Sequence, residues 1–210
     1  MEVNEPAPKI YKQYMTPEEY LEFERNADEK HEYVEGEVLA MERAYEPPFA
    51  MAGARLRHVR IVSKLHGRIF QQLEGKGCDV LTNDMRTAVK KPHESYFYPD
   101  LIIVCGKPEV EDKKADILLN PNIIIEVLSK GTKDYDLGTK QFIYMENPFV
   151  KEMAFVDSNI MNVKVSRRQP DSLWKFEILT NPKDVLQFYT VDIKITLEDI
   201  YQSIELLSKK

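Results

Sequence analysis

Two short apolar runs, FYPDLIIVC and NIIIEVLS, constrain the fold of this chain more than any other feature. Neither alternates apolar with polar residues, so each reads as a central strand covered on both faces. Each is interrupted by one carboxylate, Asp100 in the first and Glu126 in the second. A carboxylate in such a setting is costly unless a partner keeps it ionised, and one divalent cation would serve both. If the two strands are neighbours, they carry a metal site for hydrolysis.

Strand alternation sharpens the placement. Asp100 falls on the face of Ile102 and Val104, with Leu101 and Ile103 opposite; Glu126 shares its face with Ile124, with Ile123, Ile125 and Val127 opposite. Magnesium would take oxygens from Asp100, Glu126 and the carbonyl of Val127 and keep waters elsewhere. The plain alternative makes Asp100 a strand cap after Pro99 and Glu126 a buried ion-pair member.

The rest of the chain supplies layers around these strands. Residues 1–15 read as a loose arm and 16–210 as a single domain. Thr16-Pro17-Glu18-Glu19 opens a short helix with a capping box. HEYVEGEVLAM reads as a strand or hairpin bent at Gly36. ERAYEPPFAMAG reads as a loop, because Pro47-Pro48 forbids a continuous helix or a central strand. Helical spacing then runs from about Leu56 to Leu73. Short strands follow at CDVLT and MRTAV, a turn at Lys91 to Ser95, a helix at Asp136 to Met145, strands at KEMAFVD, MNVKVSRR, WKFEIL and Val191 to Ile195, and a closing helix through YQSIELLS. The expected class is α/β, a mixed central sheet flanked by helices.

The formal charge is −6 over 210 residues, yet Met51 to Lys91 carries nine Lys or Arg against three acids. That stretch is either a positive face for a polyanion or a solvated helix surface. The two cysteines, Cys78 and Cys105, form no ligand-spaced pair and read as reduced thiols of a cytoplasmic protein. No signal peptide pattern and no long apolar run is present, so secretion and membrane association are not expected.

Three further residues complete the candidates. Lys140 stands four residues after Asp136, where it either assists an attacking water or pairs with that acid on the surface. Glu35, before Gly36, orients a water or is a surface acid like Glu32 and Glu37. His58, on the long helix, meets phosphate, bonds a site carboxylate, or simply packs. The four histidines form no HExxH, and no phosphate-loop or dinucleotide motif occurs, which argues against zinc centres and nucleotide motors.

The segments MTPEEYLEFE, EKHEYVEGEVLAM, AGARLRHVRI, YFYPDLIIVCG, LLNPNIIIEVLSKGTKDYDLGTKQFIYM and EMAFVD together resemble the Uma-two family, which is grouped with restriction endonucleases in the PD-(D/E)XK nuclease-like superfamily. The resemblance implies a restriction-endonuclease-like mixed sheet, Mg2+ or Mn2+ as cofactor, DNA as partner, and a homodimer as a state in which such relatives cut both strands. It places the Pro-Asp motif on Pro99-Asp100, the second acid on Glu126 and the early glutamate on Glu35. The superfamily lysine belongs two residues after the second acid, where this chain has Leu128, and the family's later helical lysine matches Lys140. Where the family often reads Ser-Pro-Ser-Thr this chain has Ser129-Lys130-Gly131-Thr132, so Lys130 adds a phosphate contact; Arg86 is a further candidate substrate contact. The implied activity is metal-dependent DNA cleavage. The alternative is an inactive nuclease-like domain that binds nucleic acid or protein, or a structural dimer.

Overall fold

A computed structural model describes residues 10–41, 48–90, 92, 94–111 and 113–207, with side chains described from Tyr14 and, after the gap at 42–47, from Leu56. The chain begins with β1 (Ile10–Tyr14), α1 (Pro17–Asn26), the hairpin β2 (His31–Val34) and β3 (Glu37–Ala40), and the long α2 (Pro48–Leu73). Next come β4 (Cys78–Thr82), β5 (Arg86–Val89), β6 (Ser95–Phe97), β7 (Leu101–Cys105), β8 (Ile117–Leu118) and β9 (Ile123–Leu128). A helical crossover follows, built from α3 (Lys133–Tyr135), a π-helical turn (Asp136–Lys140) and α4 (Gln141–Glu146). The chain closes with β10 (Glu152–Asp157), β11 (Val163–Arg168), β12 (Trp174–Leu179), the hairpin β13 (Val185–Phe188) and β14 (Ile193–Thr196), and α5 (Leu197–Tyr201).

The two apolar runs are neighbours. The larger core sheet has the order β12-β11-β10-β9-β7-β4, and β7 lies antiparallel to β9 with Leu101 opposite Ile125 and Ile103 opposite Ile123. Only β9 and β10 run parallel in it, which is why a helical crossover must join them. One face, with Leu101, Ile103, Ile123, Ile125 and Val127, packs against Ile61, Leu65 and Ile69 of α2. The other, with Ile102, Val104, Ile124 and Leu128, packs against Ile143 and Tyr144 of α4 and against Phe97. A second six-stranded sheet, β1-β3-β2-β6-β5-β8, lies on this side and brings β2 toward the end of β7.

Four expectations change. Residues 10–14, read as part of a loose arm, pair as β1 with β3. Helix α2 begins at Pro48 rather than near Leu56, since a proline in a first turn has no intrahelical N–H to lose. The closing helix stops at Tyr201. Cys78 and Cys105 are disulfide-bonded, not free, because the β4/β7 register sets them directly opposite each other. The rest of the expected loop, 42–47, and the turn residues Lys91 and His93 lie outside the described residues.

Candidate active site

Asp100 stands immediately before β7, after Pro99, and is not itself in the ladder. Because β7 starts only at Leu101, the end of β9 loses its neighbour beyond Ile125, and Asp100 fills that place: its Oδ2 accepts the Val127 N–H at 2.7 Å. The Val127 carbonyl shares the strand edge of its own N–H and so faces Asp100 as well. The Asp100 N–H in turn lies 3.4 Å from Glu126 Oε2. Two sequence-distant acids and one carbonyl therefore meet where β7 and β9 part.

Lys140 arrives from the crossover. Its Nζ lies 2.8 Å from Glu32 Oε1, 3.0 Å from Glu126 Oε1 and 3.5 Å from Asp136 Oδ1. The π-helical turn that carries it is closed by the Gln141 N–H reaching back to the Asp136 carbonyl, and such widened turns recur at functional sites. Tyr144, one turn on, donates its hydroxyl to Glu126 Oε1 at 2.9 Å. Glu32 also accepts the Tyr98 N–H at 3.2 Å. His58, reaching over from α2, sets Nε2 3.2 Å from Asp100 Oδ2. Of this group only Asp100 and His58 show appreciable solvent exposure, with side chains 14% and 28% accessible, so the site opens on their side.

The electrostatics are unbalanced. Three carboxylates, those of Glu32, Glu126 and Asp136, gather around one ammonium, and a fourth, that of Asp100, lies beside Glu126 with His58 against it. Burial pushes the Glu126 carboxyl up to about 8; Lys140 opposes that rise, while Asp136, Asp100 and Glu32 add to it. Burial raises Glu32 too, again against Lys140. For Lys140 burial alone would favour the neutral amine, but Glu126 and Glu32 outweigh it and hold the pKa well above the usual lysine value.

A cluster so acidic calls for protons or a cation. Among the described residues no three His, Cys, Asp or Glu side chains are arranged to hold a metal ion by themselves. The donors present fit a hard cation that retains water, for which two carboxylates and a backbone carbonyl suffice. Asp100, Glu126 and the Val127 carbonyl are the residues that could hold such an ion.

Some expected residues lie elsewhere. Glu35 sits with an exposed side chain in the β2–β3 turn, at φ 50, and the buried glutamate of this hairpin is Glu32. Strand alternation carries the signal that points to Glu32: it shares a face with Val34, which packs against the same core as Ile102 and Ile124. Arg86 is buried beside Asp116 and stacks near Tyr98, so it is not open to substrate. Lys130 lies exposed just past the end of β9. Within the positive stretch, Arg68 pairs with Asp199 and Lys90 with Glu94 and Glu111.

The sequence matches the family model Uma2, described as "Putative restriction endonuclease", over residues 17–197. Among its relatives are two uncharacterized proteins of Synechocystis. One, slr1290, is 26% identical over 199 residues, covering 95% of each chain. The other, sll1609, is 27% identical over 174 residues, covering 83% of this chain and 92% of its own. With a match that spans most of its length, the chain belongs to the Uma2 family.

Proposed function

We propose that this chain is a divalent-metal-dependent DNA endonuclease that hydrolyses phosphodiester bonds, with Mg2+ or Mn2+ held by Asp100, Glu126 and the Val127 carbonyl. The supporting observation is that Lys140, from the helical crossover, lies 3.0 Å from Glu126 although the position two after Glu126 is Leu128. An amine on a flexible stem reaches the same point from another element. The bound ion would polarise a phosphoryl oxygen and lower the pKa of a water. Lys140 orients the attacking water and offsets the charge gathering at phosphorus. One phosphorus–oxygen ester bond is replaced by one from water, whose proton leaves with the departing oxygen. Glu32 and Asp136 hold the ammonium in place, Tyr144 fixes one oxygen of Glu126, and His58 steadies Asp100. Lys130, at the exposed end of β9, supplies a backbone phosphate contact, a kind of contact that gives affinity without reading bases.

A second reading has its own support: Glu126 and Lys140 are each about 5% exposed, and the ammonium already has three carboxylate neighbours. A sealed, self-satisfied cluster suits a nuclease scaffold that binds without cutting. The deciding measurement is a Mg2+ and Mn2+ titration against supercoiled, linear duplex and single-stranded DNA, with Glu126→Gln as control. Cleavage that needs the ion and vanishes in the variant supports the enzyme. DNA bound but never cut, with either ion, would leave the binding domain.

A further inference from the structure

Strand β12 is the outer edge of the larger core sheet, and among the described residues nothing pairs with its free side. An open edge of this length normally carries a device that stops it from recruiting another strand. This one carries one lysine, Lys175, and exposed apolar side chains beside it. Phe176 and Ile178 are 59% and 61% exposed, on the same face as Trp174, and Leu173 at the start of the strand is 67% exposed. The opposite face carries Lys175 and Glu177.

The sequence WKFEIL is complementary to itself when reversed about Phe176. If two copies of β12 run antiparallel with Phe176 facing Phe176, Lys175 of each meets Glu177 of the other and Trp174 meets Ile178. Both ion pairs fall on one face, and the Phe176 and Trp174–Ile178 pairs fall on the other, an arrangement a two-fold interface permits. Shifting this register by two residues in either direction sets Lys175 against Lys175 or Glu177 against Glu177. In the monomer Lys175 has a cation and not an acid across from it in its own sheet. Lys175 stands directly opposite Arg167 in the β11/β12 register, while the Arg167 guanidinium is already turned to Glu177 at 2.5 Å and to Glu152.

We infer that β12 is the interface through which two copies of this chain join edge to edge, making one continuous sheet with Phe176 on the two-fold axis. The inference is independent of whether the chain cuts DNA. Sedimentation equilibrium of the full chain over a wide concentration range tests it, with charge variants as probes. Lys175→Glu and Glu177→Lys each set like charges opposite one another twice, and each weakens self-association by at least about tenfold. Mixed in equal amounts, the two variants restore complementary pairs at both positions and form a heterodimer. The double exchange in one chain restores the homodimer.

Phe176→Cys fixes the register, since it predicts a cross-link between copies under mild oxidation. Circular dichroism of each variant separates loss of pairing from loss of fold. A wild-type chain that stays monomeric, as it would if β12 received a strand from a different protein, overturns the inference. So does a dimer indifferent to the charge variants, or one whose single variants fail to recover on mixing.

Discussion

Two buried polar clusters lie side by side in this molecule and are built on opposite principles. In the first, Arg25 and Arg86 converge on Asp116 while Glu24 accepts the His31 N–H, its ring nitrogen and the Tyr98 hydroxyl. The group holds two guanidiniums, both on Asp116, and two carboxylates, so the formal charges balance. In the second, three carboxylates surround the single ammonium of Lys140, and Asp100, with His58 beside it, adds a fourth next to Glu126. Tyr98 borders both, giving its hydroxyl to Glu24 and its N–H to Glu32. The same low-dielectric interior holds one cluster that is complete and one that lacks positive charge. The first is explained by folding alone. The second favours bound protons or a cation, since burial raises the pKa of both Glu126 and Glu32, and this is the property the proposed metal-dependent activity would use.

Lys140 breaks this comparison most sharply. Among the described residues Lys140 is the one cation paired with Glu32, Glu126 and Asp136, so Lys140→Met leaves the buried strand beneath them with uncompensated carboxylates. The expected loss is about 3–5 kcal/mol of stability at pH 8, read by denaturant unfolding. Any DNA cleavage falls on the order of 100- to 1,000-fold. Arg86→Met, in the balanced cluster, removes one of two guanidiniums from a partly exposed Asp116 and costs about 1–3 kcal/mol. Cleavage per folded molecule is unchanged. If both variants lose activity in proportion to stability alone, the distinction between the clusters fails.

The pH dependence of the two clusters runs in opposite directions. Burial alone would raise Asp116, but Arg25 and Arg86 outweigh it and hold the carboxyl below its ordinary value. Its stabilisation is present above the unfolded pKa and is lost as pH falls through the lower folded value. Glu126, raised from 4.5 to about 8, behaves the other way: the stability it contributes is full below 4.5 and is lost as pH rises through 8. Thermal unfolding from about pH 2 to 8.5 in the presence of a chelator spans both limbs and shows that alkaline loss, and Glu126→Gln flattens it. Asp116→Asn leaves the alkaline limb intact and alters only the acid one.

A cation repairs only the unbalanced cluster. At pH 8, Mg2+ or Mn2+ at about ten times its dissociation constant adds about 1.4 kcal/mol, or about 3–6 °C in Tm. Asp100→Asn and Glu126→Gln each abolish that rise, while Arg86→Met retains it. A rise that survives loss of both acids would place the ion elsewhere.

The sequence shows the layers well and the site in part, and the division has a physical cause. Continuous apolar runs can fold only as covered strands, so β7, β9 and the faces of Asp100 and Glu126 are legible from local pattern. Lys140 is legible through family resemblance, but its burial is not, because a lysine four residues from an aspartate looks the same on a surface helix. Glu32 is half legible. HEYVEGEV contains three glutamates; alternation sets Glu32 on the face of Val34, and the packing of the second sheet against the end of β7 turns that face inward. The disulfide depends on register between strands 27 residues apart, which spacing does not reveal.

The choice among those glutamates yields the smallest effect and the cleanest contrast. Glu35 and Gly36 occupy the two central turn positions between β2 and β3, with φ of 50 and 103, the pattern of a type I′ hairpin turn. A glutamate in that left-handed region is strained, and asparagine tolerates it better. Glu35→Asn therefore raises stability by about 0.5–1 kcal/mol, or a degree or two in Tm, and leaves any cleavage and metal response unchanged. Glu32→Gln, three residues earlier, weakens the hold on Lys140 and lowers any cleavage without abolishing metal binding by Asp100 and Glu126. Should Glu35→Asn instead remove activity while Glu32→Gln spares it, the hairpin would present its other face to the substrate and Glu32 would be no more than a structural ion-pair partner.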